Sequence, residues 1–139
     1  MTPEVTLADW STDKASIKSI RLRVFVEEQK VPEELEWDEH DKTALHCLAK
    51  INGEAVATGR LQTDGQLGRM AVLKPFRKLG IGTEVLKFLI KQQKLISDSS
   101  IIIHAQKHAI NFYKKFGFVK QGDEYNEAGI PHYTMILNK

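Results

Sequence analysis

An arginine and two glycines lie between a short apolar segment and a helix-like pattern, an arrangement that could bind a phosphate group. Residues 69–73 form the apolar segment, Pro75 ends it, and Arg77, Gly80 and Gly82 follow. Glycines without a Cβ let a bulky anion lie against the backbone, and an arginine can add a bidentate contact. The first N–H groups of a helix lack partners and carry partial positive charge. The chemistry that this segment suggests is therefore binding of a pyrophosphate.

Two other phosphate-binding motifs fit these residues less well. A P-loop requires Gly-Lys-Ser/Thr at the helix start, whereas Gly82 is followed by Thr83 and Glu84. A dinucleotide-binding fingerprint requires a small residue at the position of Val85 and an acidic residue where the next strand ends, at His104. Because glycine is common in turns, Gly-x-Gly alone is weak evidence. The longer spacing Arg-x-x-Gly-x-Gly between a strand and a helix carries more weight.

The elements that hold this turn can be predicted from periodicity and turn residues. Three antiparallel strands are predicted before the turn, at residues 44–51, 54–61 and 67–73. Asn52-Gly53 is a strong signal for a two-residue hairpin, and Thr63-Asp64-Gly65 marks the second turn. From Thr83 the apolar residues recur at helical spacing. The apolar run 100–105 predicts a strand that is covered on both faces and parallel to its neighbour.

The N-terminal part predicts a strand at residues 4–8 followed by a helix capped by Ser11 or Thr12. The apolar stripe of that helix comprises Ile17, Ile20, Val24 and Phe25, and its polar remainder comprises Arg21, Arg23 and Glu27. At the C-terminal end, we predict a helix at residues 107–116 that Gly117 terminates. A closing hairpin is predicted from strands at 118–121 and 132–137, joined by a polar loop at 122–131.

Residues 27–41 are the most acidic segment of the chain. One interpretation is a solvated loop with a short helix after Pro32, which is the usual role of a charge run. The other is a rim that attracts a cationic amine. The spacing of a calcium-binding loop is absent from the segment, and no metal site is predicted.

Length and composition indicate one domain spanning residues 1–139. The chain is 42% hydrophobic and 27% charged, with 20 basic and 18 acidic residues and a net charge of +2. No concentrated basic face is visible, so nucleic-acid binding is not expected. Cys47 is the single cysteine, which excludes an internal disulfide. Without a leader-like start or a run long enough to span a membrane, we expect a cytoplasmic protein that does not bind membranes.

Two segments of the C-terminal half resemble a known family. Arg77-Lys78-Leu79-Gly80-Ile81-Gly82 is similar to the Arg/Gln-x-x-Gly-x-Gly/Ala acyl-CoA motif of the GNAT N-acetyltransferases, and residues 109–118 resemble the family's Ala-x-x-Phe-Tyr-x-x-x-Gly-Phe stretch. The order of predicted elements is also that of the GNAT fold. The resemblance implies an α/β (α+β) architecture, with a mixed, mostly antiparallel sheet of about seven strands and helices on both faces.

The first half has a narrower likeness to the ElaA-like branch of bacterial GNAT proteins. It rests on residues 23–29, the Glu36-x-Asp38-x-x-Asp41 pattern, His46 and residues 58–61.

The resemblance implies roles for residues of the two motifs. In the family, exposed amides of the strand before the turn align the acetyl-pantetheine arm, which assigns Met70, Ala71 and Val72 to acetyl-CoA and an amide near Val72 to the oxyanion. The turn that holds the pyrophosphate comprises Arg77, Lys78, Leu79, Gly80, Ile81, Gly82 and Thr83. Asn111 is expected to contact the pantetheine. Tyr113 occupies the place of the family's general acid, which protonates the departing sulfur.

The group that takes the proton from the amine is left open by the sequence. An alkylamine has a pKa of about 10.4, so a base or a water chain must remove its proton at neutral pH. His46 and Glu28 are candidates, and His104 is another histidine in range, although each residue type is more often structural. Some family members use ordered water instead. Arg60 and Arg69 could bind an acidic acceptor or pair with the acidic segment.

The sequence therefore predicts an acetyl-CoA-dependent N-acetyltransferase that acts on a primary amine of a small molecule or peptide by direct attack in a ternary complex. The alternative is a non-catalytic acyl-CoA-binding sensor or scaffold module. A homodimer formed through edge strands is a further conjecture.

Overall fold

Seven strands form one sheet in the order β1-β2-β3-β4-β5-β7-β6 in the computed structural model, which describes residues 2–138. The strands are β1 Glu4–Ala8, β2 Leu45–Ile51, β3 Glu54–Leu61, β4 Gln66–Val72, β5 Ile101–Gln106, β6 Val119–Glu127 and β7 Ile130–Leu137. Neighbouring strands are antiparallel except β4 and β5, which are parallel. The sheet is thus mixed and mostly antiparallel, as predicted.

Helices cover both faces of the sheet. They are α1 Trp10–Arg21, α2 Glu33–Glu36, α3 Ile81–Ile96 and α4 Ile110–Lys114. A π-helical segment, Leu22–Glu28, continues α1, and short 3-10 segments span Glu39–Lys42, Lys74–Phe76 and Lys107–Ala109. Side chains of α1 pack on one face of the sheet, and those of α3 and α4 pack on the other.

Alternation along β2 divides the apolar residues between these two cores. Cys47, Ala49 and Ile51 face the α3 side, whereas Leu48 packs with Ile17 of α1 on the opposite side. The hairpin that follows β2 turns at Asn52 and Gly53, whose φ values are +52° and +82°. This geometry is the one that the Asn-Gly pair predicts.

A bulge in β4 separates it from β5. The register between β3 and β4 shifts between Thr58 and Arg60, and Arg69 has a φ of +48°. Within the described residues, β4 pairs with β5 only at Gln66 and Leu67. Because β-bulges bend a strand and increase its twist, β4 diverges from β5 beyond Leu67. The predicted parallel pairing is confirmed, and the two strands form a V that opens after two rungs.

Three predictions about helices need correction. The N-cap of α1 is Asp9, whose Oδ1 accepts hydrogen bonds from both the N–H and the hydroxyl of Ser11. Arg21 is fully buried rather than on the polar face. The C-terminal helix is shorter than predicted, since residues 107–109 form a 3-10 turn.

The closing hairpin is longer than predicted. Residues 122–127 and 130–131 belong to β6 and β7, and only Ala128 and Gly129 form the turn, with φ values of +53° and +79°. An irregularity between Gln121 and Tyr125 lets β6 pass its polar, glycine-containing stretch without leaving the sheet.

Gly59 of β3 lies under α3, opposite the bulge. A Cβ at this position would lie 2.7 Å from Cδ1 of Leu89 and 3.0 Å from Cγ1 of Val85, both core side chains. We expect Gly59→Ala to lower the free energy of unfolding by about 1–3 kcal/mol through overpacking. Gly68→Ala is the matched control, because a Cβ there has nothing within 4 Å. Urea unfolding measures both variants, and equal stabilities would contradict the prediction.

Candidate active site

A cavity of about 590 Å³ opens where β4 and β5 diverge. Met70 of β4, Ile103 of β5 and Tyr113 of α4 line its part within the V. Its other walls come from the segment after α1, from the β6–β7 turn, and from Arg69 of β4 and His104 of β5. One continuous space therefore joins the gap in the sheet to a polar chamber on the α1 face.

The turn between β4 and α3 has the geometry that its glycines predict. Gly80 is the N-cap of α3 with a φ of +82°, and Lys78 has a φ of +66°. No side chain caps this helix, so its first N–H groups lack an intrahelical partner and a side-chain acceptor. The helix begins at Ile81, two residues earlier than predicted.

The predicted turn residues differ in what they offer to a ligand. Lys78 and Leu79 are exposed, whereas the Ile81 side chain is buried in the core and leaves only its backbone available. Gly82 and Thr83 are half-buried. A Cβ at Gly82 would lie 3.8 Å from Val72 and 3.9 Å from Phe112, which is ordinary contact.

Arg77 is bound to the protein itself. Its Nη1 and Nη2 donate to the Glu28 carboxylate at 2.6 and 2.7 Å, and its Nε donates to the carbonyl of Val72 at 2.9 Å. The hydrogen bonds from Arg77 lower the pKa of Glu28. Arg77, which was predicted to bind the pyrophosphate, and Glu28, which was considered as a general base, thus form one bidentate ion pair.

Residues 28 and 29 contact both sides of the V. Glu28 holds Arg77 beyond the end of β4, and Oε1 of Gln29 accepts a hydrogen bond from Nε2 of Gln106 in β5 at 2.7 Å. Glu28 is the last residue of the π-helical segment and Gln29 is its C-cap, and Lys30 after them has a φ of +63°. Such irregular backbone is often found at functional sites. Gln106 was not singled out from the sequence, and Gln29 entered only as the last residue of the ElaA-like segment 23–29, without a role.

Tyr113 lies inside the cavity against an aromatic wall. Its ring centroid is 5.2 Å from that of Phe112 and 5.8 Å from that of Phe118. Burial raises the pKa of Tyr113 to about 12, so its hydroxyl keeps the proton at neutral pH. Asn111, two residues earlier, is exposed.

His46 lies away from the cavity. It is 1% exposed, its ring stacks on Trp10 at 4.9 Å, and its Nε2 is 2.8 Å from the carbonyl oxygen of Asp41. Burial lowers the pKa of His46, which favours the neutral ring. The predicted shared face with Leu48 is confirmed, because both side chains are buried on the α1 side of β2.

The acidic segment is divided between a largely buried ion network and a solvated part, in which Glu27, Glu28, Glu33, Glu34 and Glu39 are exposed. Glu36 and Asp41 are 3% and 1% exposed. Arg21 donates to Glu36 at 2.9 Å and to Asp41 at 2.7 Å. Arg60 and Arg69 join the same network, so the solvated-loop interpretation does not hold for Glu36 and Asp41. Glu36 and Asp38 line the cavity, but both are paired with arginines. The predicted short helix after Pro32 is present as α2.

Arg60 and Arg69 connect this network to the cavity wall. Arg60 donates to Asp38 at 2.7 Å and to Asp41 at 2.9 Å. Arg69 contacts Glu36 at 3.1 Å and Asp38 at 3.3 Å. Of the two roles that the sequence left open for these arginines, pairing with the acidic segment is the observed one.

Burial and ion pairing act in opposite directions on the two buried carboxyls. For Asp41 burial alone would raise the pKa, but hydrogen bonds and charge from Arg21 lower it to about 2. For Glu36 burial prevails over Arg69 and Arg21, and the pKa is raised.

Other features of residues 2–138 offer no competing site. A second groove of about 560 Å³ at the far end of α3 has an apolar floor and three lysines, Lys87, Lys91 and Lys94, but no histidine or carboxylate. His104 and His108 are four residues apart, but β5 ends between them, and within this range no three potential metal ligands converge. No helix in the described part of the chain has the length and apolar character to cross a membrane.

Comparisons with known proteins identify relatives across almost the whole chain. A family profile described as "Acetyltransferase (GNAT) domain" matches residues 7–139. The chain is 38% identical over 121 residues to YjcF of Bacillus subtilis, an uncharacterized N-acetyltransferase, with 84% of this chain and 86% of YjcF covered. It is 33% identical over 128 residues to ElaA of Escherichia coli, with 86% and 84% covered.

Solved structures agree with these relationships. The crystal structure of Escherichia coli ElaA matches with a TM-score of 0.89 and 27% identity, covering 99% of this chain and 100% of ElaA. A GNAT family acetyltransferase from Elizabethkingia anophelis with acetyl-CoA bound has the same fold, with a TM-score of 0.74, 18% identity, and 97% and 98% covered. The predicted fold and the predicted likeness to ElaA are confirmed.

The lowered pKa of Asp41 predicts a stability difference that depends on pH. The folded-state value is about 2 and the ordinary value is 3.8, so ionised Asp41 stabilises the fold above pH 3.8 and this contribution is lost as the pH falls towards 2. We expect the pH-dependent part of the stability difference between wild type and Asp41→Asn to be about 2–3 kcal/mol at pH 7 and about half of that at pH 3. Urea unfolding from pH 7 to pH 3 tests this, and a difference that does not change with pH would contradict it.

Proposed function

The chain belongs to the GNAT acetyltransferase family, and from that premise we propose that it transfers the acetyl group of acetyl-CoA to a primary amine of a small molecule or peptide. Enzymes of this family act on amine acceptors. The observation that carries the proposal is the single cavity that runs through the β4–β5 opening, from Tyr113 to a polar chamber on the α1 face. It gives a donor and an acceptor a common space in which direct attack in a ternary complex is possible.

The residues for acetyl-CoA are proposed from the turn and from β4. The N-terminus of α3 at residues 80–83 offers backbone N–H groups and partial positive charge to the pyrophosphate. The acetyl-pantetheine arm would lie along Met70, Ala71 and Val72, where β4 has no partner on the β5 side. Asn111, exposed on α4, would contact the arm from across the V. The Elizabethkingia anophelis protein, which has acetyl-CoA bound on the same fold, supports acetyl-CoA as the ligand.

Arg77 enters this proposal with a condition. Both of its terminal nitrogens already bind Glu28, so a contact with the pyrophosphate would replace at least one of these hydrogen bonds. The adjacent Lys78 and Leu79 are exposed and extend the same turn. The backbone of the turn, rather than the arginine alone, is therefore the main phosphate contact in our proposal.

Tyr113 is proposed as the group that donates a hydrogen bond to the departing sulfur. With a pKa of about 12, its proton is held more tightly than that of a free thiol, which has a pKa of about 8.5. Full proton transfer from the Tyr113 hydroxyl to the thiolate is thus unfavourable unless the amine nitrogen gives Tyr113 a proton to replace the one it loses. A hydrogen bond to developing negative charge requires no transfer and is stronger in a water-poor site. An amide near Val72 is proposed to stabilise the carbonyl oxygen.

Neither Glu28 nor His46, the two general bases that were considered first, can reach an amine in the cavity. Glu28 is held by Arg77 at 2.6 and 2.7 Å, and His46 is buried beside Trp10. A base must reach the proton that it removes, either directly or through one water. We therefore favour a different residue over Glu28 and His46.

The turn can be tested without disturbing the helix. An acidic residue in the first turn of a helix is favourable, so Gly82→Asp should fold at least as well as wild type while it repels a pyrophosphate. We expect the affinity for acetyl-CoA to fall about tenfold or more relative to Gly82→Asn, the neutral control of the same size. Isothermal titration calorimetry measures both. If the Asp and Asn variants bind acetyl-CoA equally, the turn does not hold the pyrophosphate.

Tyr113 distinguishes an enzyme from a sensor. Tyr113→Phe retains the ring and removes the hydroxyl, so acetyl-CoA affinity should be unchanged while turnover falls about 10²-fold or more. Thiol release from acetyl-CoA with a panel of amines measures turnover. Tight binding of acetyl-CoA by wild type, without thiol release for any amine, would instead favour the sensor or scaffold alternative.

A further inference from the structure

We propose that His104 takes the proton from the acceptor amine, and that Tyr125 positions the His104 ring for this role. The inference rests on the proposed acetyl transfer. It assigns the general base of that reaction, a role that neither Glu28 nor His46 is positioned to fill. It is carried by the position of His104 in the V and by the oxygen atoms that face its two ring nitrogens.

The strand register places His104 at the start of the opening. Gln66 and Leu67 of β4 pair with Ile102 and Ile103 of β5, and these are the last rungs between the two strands. His104 is the next residue of β5, it is exposed, and it lines the cavity. Residues two apart on a strand share a face, so His104 shares a face with Ile102. The core residues Ile101 and Ile103 point to the α3 side instead.

Both ring nitrogens of His104 face an oxygen atom. Nδ1 is 2.5 Å from the Tyr125 hydroxyl, and Nε2 is 3.2 Å from Oε1 of Gln66. When Nδ1 carries the hydrogen and donates to Tyr125, the lone pair of Nε2 is directed towards the cavity side, where an ammonium group could replace Gln66. After proton transfer both nitrogens are donors, and each has an oxygen acceptor already in place. Whichever ring nitrogen carries a hydrogen therefore has an oxygen atom to which it can donate.

Neighbouring strands fix this arrangement. Tyr125 of β6 stacks on His132 of β7 with ring centroids 6.0 Å apart, and its ring meets that of His104 edge-on at 6.1 Å. His132 is 5% exposed, and its Nε2 lies 3.7 Å from Glu127. The hydroxyl of Tyr125 is thus set by a stacked and paired neighbour, which is what a positioning residue requires. Burial raises the pKa of Tyr125, so it remains a neutral phenol beside the histidine.

Other histidines in the cavity are engaged differently. Nε2 of His108 is 2.6 Å from Oε1 of Gln106, beyond the end of β5. Nδ1 of His132 is 2.7 Å from the carbonyl oxygen of Ile130, and its side chain is buried. His40 lies on the opposite wall, in the segment that carries the ion network. Among these histidines, only His104 is both exposed and located directly after the last residue pair that joins β4 and β5.

The proposed step balances without an additional reactant. An N–H bond of the acceptor ammonium breaks and its proton forms a bond with Nε2 of His104. The freed amine forms the N–C bond at the acetyl carbonyl, the C–S bond breaks, and the thiolate receives the second amine proton through Tyr113. His104 then releases its proton to water in the cavity.

Acceptors of different basicity provide the test. Alkylamines are protonated at neutral pH, with pKa values of about 10.4, whereas arylamines are already neutral and need no base before attack. We expect His104→Gln to lower kcat/KM for alkylamines about 10²-fold relative to wild type, and to change it for arylamines by less than about threefold. Tyr125→Phe should give the same selectivity with a smaller loss. His108→Gln is the matched control, and the ratio of alkylamine to arylamine rates should not change in it.

Each outcome supports or overturns the assignment. A loss confined to alkylamines, with acetyl-CoA affinity unchanged, supports it. An equal loss for both acceptor classes indicates a structural role and overturns it, and so does full activity of His104→Gln or a wild type that accepts arylamines alone. A wild type that binds acetyl-CoA and acetylates no amine overturns the proposed function as well, so the two failures are distinguishable.

Discussion

The break in β4 at Arg69 is the constraint on which the site depends. Without it β4 would continue to pair with β5 beyond the two observed rungs, and the cavity through the sheet would close. A non-glycine residue at φ +48° costs on the order of 1–2 kcal/mol, so the surrounding structure must hold it there. The guanidinium of Arg69 contacts Glu36 and Asp38, which connects the strained residue to the buried ion network. The acidic segment thereby stabilises the opening, and its cavity-lining carboxylates Glu36 and Asp38 are already paired with arginines.

The network that holds Arg69 is close to neutral. Three arginines, Arg21, Arg60 and Arg69, face three carboxylates, Glu36, Asp38 and Asp41. Removing one partner of a buried pair costs about 3–5 kcal/mol because it leaves an unpaired buried charge, whereas the complete pair contributes little net stability. We infer that the network specifies a geometry more than it stabilises the fold. The raised pKa of Glu36 disfavours its charged form, whereas the lowered pKa of Asp41 favours its charged form, so the two effects on stability oppose each other.

Much of the fold was predictable from local sequence. Period-two alternation, the apolar run at 100–105, Asn52-Gly53 and the glycines at 80 and 82 predicted strands β1 to β5, the β2–β3 hairpin and the start of α3 to within two residues. Arg21 was not predicted as buried, although it follows Ile17 by four residues and precedes Val24 by three, and so lies on the apolar stripe. Burying it requires carboxylates from residues 15 and 20 positions away, and no local pattern reveals such partners. The polar sequence of β6 predicted a loop, because an edge strand that is exposed along most of its length lacks an apolar face.

The contacts made by residues 28 and 29 restrict how this protein can vary in length. Glu28 and Gln29 are adjacent in the chain, yet they bind groups on opposite sides of the V. Inserting or deleting one residue within the π-helical segment would rotate both side chains out of register, and neither contact could be kept. Between α1 and α2, length changes should therefore be tolerated after Gln29, in the stretch towards Pro32, rather than within the π-helical segment.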